Sequence, residues 1–157
     1  MTTTQKLSPF LTHRDKVLGH YGTASFLRAV VLALWNGTDF KVGLSRISNL
    51  DQEHYAAFLE MIGQYRSAGE RDPAFMALAD EVRARVAEEK KAADRAEAFE
   101  DWCKDVERAI RMDGGVPGRT AGDLVDEHYG WLDAQFGTLS PDSAATELVK
   151  RHKANME

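Results

Sequence analysis

Apolar positions along the chain are densest between Phe26 and Trp35, where Phe26, Leu27, Ala29, Val30, Val31, Leu32, Ala33, Leu34 and Trp35 are interrupted only by Arg28. This run predicts a helix that is apolar nearly all round, capped by Thr23 or Ser25 and stopped at Gly37. Such a helix must be surrounded by other elements, so it is expected at the centre of an N-terminal module. It is too short for a membrane, which needs about 20 consecutive apolar residues.

Further along, Phe40, Val42, Leu44, Ile47 and Leu50 suit an extended piece followed by a helical turn, with room for one short strand at Phe40 to Val42. From Asn49 or Asp51 a second helix is expected, because Tyr55, Phe58, Leu59 and Ile62 fall at i, i+3, i+4 and i+7. It ends between Gly63 and Gly69. Asp72 then caps a third helix with Pro73 at its first position, where the missing N–H costs nothing. Between Pro73 and Met112 no glycine or further proline interrupts the pattern, which is compatible with one long helix or two. Its first part offers Phe75, Leu78, Ala79, Val82 and Val86 for burial, its last part Phe99, Trp102, Cys103, Val106 and Ile110. The intervening AEEKKAADRAEA has high helix propensity and little to bury.

After the GGVPG loop, Thr120 caps a helix with Leu124, Val125, Tyr129, Trp131, Leu132 and Phe136 available for burial, closed by Gly137. Ser140 and Pro141 start a last helix burying Ala144, Ala145, Leu148 and Val149. Its basic end, Lys150, Arg151, His152 and Lys153, suits the negative pole of the helix dipole. The expected fold is all-α: two small helical modules joined by a charged helical connector, with at most one short strand or hairpin. Residues 1–22 are read as a polar tail and lead-in segment, 23–86 as the N-terminal module, 87–98 as the connector and 99–157 as the C-terminal module. Order is expected from about Thr12 onward.

Charge refines this picture. Residues 1–50 carry six Lys or Arg against two acids, 51–100 seven against twelve and 101–157 seven against eleven. A basic N-terminal third could meet nucleic acid, yet Arg14, Lys16, Arg28, Lys41 and Arg46 form no stripe, so complementing the chain's own acids is the preferred reading. Met1 to His20 lacks the apolar region of a secretory signal, and the single Cys103 cannot form an internal disulfide; a cytoplasmic location is expected.

Candidate chemistry is sparse. Asp123, Asp126 and Glu127 lie within one helical turn beside His128, but no second helix offers a matching set and no metal-ligand motif occurs, so no metal and no cofactor is expected. Cys103 sits beside Trp102 on an apolar face, the setting of an inert thiol. Ser25, Ser45, Ser67 and Ser140 read as cap or turn residues, and the glycine-rich loop lacks the Lys-Ser/Thr of a phosphate loop. One surface remains: Asp94, Glu97, Asp101 and Asp105 form an acidic stripe pointing away from Phe99, Val106 and Ile110. Like charges at i, i+4 weaken a helix slightly, which makes a partner-binding role worth weighing against a merely solvated face.

Two stretches carry a resemblance. FLRAVVLALWNG followed by FKVGLSRISNLD, within residues 23–65, resembles small uncharacterised domains carried by phages, plasmids and integrative elements. DWCKDVERAI and YGWLDAQFGTLSPDSAATELV are similar to short helical modules in phage and mobile-element accessory proteins. The resemblance implies a mobile-element origin and transfers no catalytic residue. The function expected first is therefore a non-enzymatic protein–protein interaction protein, with inhibition of a host defence complex of the anti-CRISPR kind as its specific form. Its partner would be a host protein or nucleoprotein complex met through the acidic stripe. A DNA-binding accessory protein using the basic third stands second, and a metal-dependent hydrolase at Asp123, Asp126 and Glu127 third. Trp35 and Trp131 are open to core roles or to a homodimer contact.

Overall fold

The computed structural model describes residues 7–114, 116 and 118–154, and the fold is all-α. The chain divides into two compact units, one running to Glu89 and the other from Lys90, so the division falls within the alanine- and charge-rich stretch.

The first unit opens with α1 (Pro9–Thr12) and α2 (Arg14–Leu18). Ser8 starts α1: its Oγ accepts from the Phe10 N–H at 3.3 Å, with Pro9 at the first position. Phe10 and Val17 are fully buried. This corrects the reading of the lead-in as a polar tail, because two apolar side chains spaced seven apart are enough to dock a pair of short helices. Residues 1–6 lie outside the described residues. Val17 and Gly19 carbonyls accept from Arg28 Nη1 at 3.3 and 2.5 Å, and the Leu18 carbonyl accepts from Arg85, so two guanidiniums satisfy the acceptors that the end of α2 leaves open.

The apolar run becomes α3 (Gly22–Trp35), in which every residue from Thr23 onward is buried or half-buried. Thr23 and Ser25 lie inside the helix and do not cap it; the preceding residue is Tyr21, which makes no side-chain capping bond. The strand considered at Phe40 to Val42 does not form. Asn36 Oδ1 accepts from the backbone of Thr38 and Asp39, Phe40 packs on Trp35 at 6.0 Å between ring centroids, and a 3₁₀ turn follows at Leu44–Asn49. Packing holds this piece without a sheet partner.

Asp51 caps α4 (Gln52–Ala68) by accepting from the His54 N–H at 2.9 Å. Its buried face is Ala57 and Met61, flanked by Phe58, Ile62 and Tyr65, whereas Tyr55 and Leu59 are 42% and 49% exposed. The helix is thus rotated from the phase expected. Helix α5 (Pro73–Met112) is a single helix of 40 residues. In the first unit it contributes Phe75, Leu78, Ala79 and Val82 to a core shared with α3, Phe10, Val17 and Met61.

In the second unit α5 supplies Phe99, Cys103, Val106 and Ile110, which pack with Leu124, Leu132, Ala144, Ala145 and Leu148. Residues 115 and 117 of the GGVPG loop lie outside the described residues, while Val116 is buried. The helix expected from Thr120 to Phe136 breaks at His128 into α6 (Ala121–Glu127) and α7 (Tyr129–Gln135). Thr120 and Asp123 form a reciprocal capping box at 3.1 Å in each direction. Thr120→Ala is expected to lower the stability of this unit by about 1 kcal/mol in chemical denaturation, the usual worth of such a cap. Ser140 caps α8 (Pro141–Ala154), which buries Ala144, Ala145, Leu148 and His152.

Candidate functional site

On α5 the four carboxylates of the acidic stripe lie on the side away from Phe99, Val106 and Ile110. Asp94 and Glu97 are exposed and form no ion pair among the described residues. Asp101 pairs with Lys104 at 2.7 Å and Asp105 with Arg108, each at i, i+3. The hydrogen bond to Asp101, and then its charge, raise the Lys104 ammonium above its ordinary value. Half of the stripe is therefore locally compensated, and the negative field concentrates at the Asp94–Glu97 end. All side chains from Ala87 to Ala98 are exposed. None of these side chains is buried among the described residues, although Arg95 reaches α7 and pairs with Asp133 at 2.8 Å.

The described basic residues of the N-terminal third, Arg14, Lys16, Arg28, Lys41 and Arg46, are engaged inside their own unit. Arg14 pairs bidentately with Glu81 at 2.6 and 2.8 Å, Lys16 with Glu53 at 2.9 Å, Lys41 donates to the Gly37 carbonyl, and Arg46 lies 5.7 Å from the Phe26 ring centroid. Arg28 donates to the α2 carbonyls, and its ordinary value is lowered by burial first and by neighbouring Arg85 second. The two tryptophans in question are each covered by an arginine: Arg83 stands 4.0 Å from the Trp35 centroid and Arg151 4.8 Å from that of Trp131.

Cys103 is 7% exposed, and burial, with Glu107, Asp133 and Glu100 nearby, pushes its thiol above the ordinary value. Little thiolate forms at neutral pH, as its sequence setting suggests.

The acidic trio weighed for a cation is not assembled. Asp123 is held in the capping box, where the Thr120 hydroxyl and then its backbone N–H lower the carboxyl below its ordinary value. Glu127 instead pairs with Arg119 and lies next to a different set: donor atoms of Glu127, His128 and His152 all fall within 4.8 Å of one another. The imidazoles of His128 and His152 meet edge to face at 6.5 Å between centroids. His152 is 8% exposed, and Nε2 of His128 is buried with no hydrogen-bond partner among the described residues. Reading His152 with its basic neighbours missed this. The signal was its spacing, since Ala144, Leu148 and His152 recur every four residues and place the imidazole on the buried side of α8.

Residues 15–90 match the model of a family of unknown function, DUF7673. The matched segment takes in α2, α3, α4 and the first turns of α5, somewhat less than half of the chain. It nearly coincides with the first unit and stops short of both Asp94 and the histidine cluster. No curated protein and no solved structure matches the chain. Among the described residues, no helix is long and apolar enough to cross a membrane.

Proposed function

We propose that the chain is a non-enzymatic interaction protein of a mobile genetic element, acting in the cytoplasm by seating the acidic face of α5 on a basic partner surface. The partner class is a host protein or nucleoprotein complex with a groove that ordinarily holds nucleic acid, as in a defence effector. The observation that supports this reading is the exposure of Asp94 and Glu97, without an ion pair among the described residues, on a helical segment whose side chains are all exposed. Unpaired carboxylates on a pre-ordered helix meet a cationic groove with little ordering cost and steer the encounter. The engagement of Arg14 and Lys16 with Glu81 and Glu53 leaves the DNA-binding alternative with less free positive charge.

The test is comparative capture. Tagged wild type and the Glu97→Lys, Asp101→Lys double variant are incubated with nuclease-treated bacterial lysate, and the recovered partner is then titrated against each. Charge reversal is expected to weaken binding about tenfold or more, with helicity by circular dichroism unchanged and binding falling as salt rises. Equal affinity of the two proteins overturns the acidic face. Loss of every partner upon nuclease treatment points instead to nucleic acid.

A further inference from the structure

The turn between α6 and α7 brings His128 to the last turn of α8. His128 occupies the junction itself, with φ −110° and ψ 17°, and its backbone N–H still donates to the Leu124 carbonyl at 3.2 Å. That break in the helix directs Nε2 into a buried place where it finds no hydrogen-bond partner among the described residues. His152 approaches from α8, itself more than nine-tenths buried, and Glu127 closes the set from the exposed side. A buried ring nitrogen left unpaired costs free energy until it gains a partner, and in the tautomer that bares Nε2 a cation can be that partner.

We propose that the second unit binds one divalent transition-metal cation of the zinc class through His128, His152 and Glu127. This departs from the expectation of no metal, and it stands apart from the interaction reading, since none of the three residues belongs to the acidic face. Two imidazoles and one carboxylate suit zinc, cobalt, nickel or copper, whereas magnesium and calcium require oxygen donors throughout. Zinc bonds of about 2.0–2.2 Å put tetrahedral donors about 3.3–3.6 Å apart, so the set contracts on binding. Glu127 supplies the movement, because it is exposed and its present partner Arg119 is itself at the surface. Three protein ligands leave a fourth position for water or a partner's side chain. The bound cation ties the α6–α7 junction to the end of α8 and closes the chain between them.

Chelator-stripped full-length protein is titrated calorimetrically with zinc, and with cobalt while visible absorption is recorded. The expected results are one zinc per chain, the intense visible bands of four-coordinate cobalt, and no response to magnesium or calcium. At zinc about a hundredfold above its dissociation constant, the unfolding transition of this unit rises on the order of 10 °C. Glu127→Gln, a surface change that leaves the core intact, is expected to weaken zinc binding about tenfold or more with the metal-free melting unchanged, while Asp126→Asn has no effect. His128→Gln and His152→Gln are expected to abolish the cobalt bands. No stoichiometric zinc binding by the wild type overturns the site, as does binding that survives unchanged in Glu127→Gln and in His128→Gln. The Glu97→Lys, Asp101→Lys variant is expected to bind zinc normally, which separates failure of this site from failure of the acidic face.

Discussion

Phe75→Ala is expected to destabilise the first unit by about 3–5 kcal/mol, the range for removing a large aromatic from a packed core. Phe75 is fully buried, with its ring centroid 4.9 Å from that of Phe10 and 4.9 Å from that of Tyr65. The three rings join α1, α4 and the start of α5, and the Tyr65 hydroxyl donates to the Leu34 carbonyl at 2.7 Å, adding α3. Truncation leaves a cavity bounded by four helices, whose backbones cannot all move inward to fill it. A domain has only about 5–15 kcal/mol of stability, so the loss is a large share of the total. Denaturant unfolding followed by tryptophan fluorescence measures it, Trp35 reporting this unit and Trp102 and Trp131 the other. A cost below about 1 kcal/mol would show that this aromatic cluster is not the centre of the core.

Asp72→Ala is expected to cost the same unit about 2–4 kcal/mol, combining a lost helix cap with buried donors left unpaired. Asp72 is 5% exposed. Its Oδ1 accepts from the Ala74 and Phe75 N–H groups at 2.9 and 3.4 Å, and its Oδ2 accepts from Ser8 Oγ at 2.8 Å and Gln64 Nε2 at 2.7 Å. One carboxylate thereby starts α5 and ties α1 and α4 to it. Burial alone pushes the carboxyl upward, and this is the largest single effect; the bonds from Ser8, Gln64, Ala74 and Phe75 together outweigh it and hold the group below its ordinary value. The sign of the pH dependence follows. A depressed folded-state value means the unfolded chain takes up the proton first, so the stabilisation is complete above about pH 4 and is lost as pH falls through the folded value. Asp72→Asn removes the acid-side loss along with the carboxylate. Stability measured against pH checks this: parallel wild-type and Asp72→Asn curves below pH 4 would refute it.

Much of the candidate site was visible in the sequence, though not its strongest metal-binding geometry. Asp94, Glu97, Asp101 and Asp105 share a face because a helix of known period needs no further information to place them. Lys104 and Arg108, three residues on from Asp101 and Asp105, already dilute the stripe in the linear pattern; the structure adds that each pairs with its acid, a choice of partner that rotamer and surroundings decide. The trio Asp123, Asp126 and Glu127 looked close for the same periodic reason. The capping box claimed Asp123, and the break at His128 turned Glu127 towards an imidazole 25 positions along the sequence.

Capping chemistry and apolar period are local, and so the sequence alone determined the all-α class and several helix starts: Asp51, Asp72 before Pro73, Thr120, and Ser140 before Pro141 each act within one turn of themselves. It also determined that α3 is surrounded, because nine apolar residues among ten leave it no face for water. Tertiary structure decided the rest. It chose Ala57 and Met61 over Tyr55 and Leu59 as the inner face of α4, since a broad apolar arc fits a core in more than one rotation and only the neighbouring helices select one. It docked α1 and α2 through Phe10 and Val17, split a continuous helical pattern at His128, and buried His152, because each of these depends on which distant surface a side chain meets.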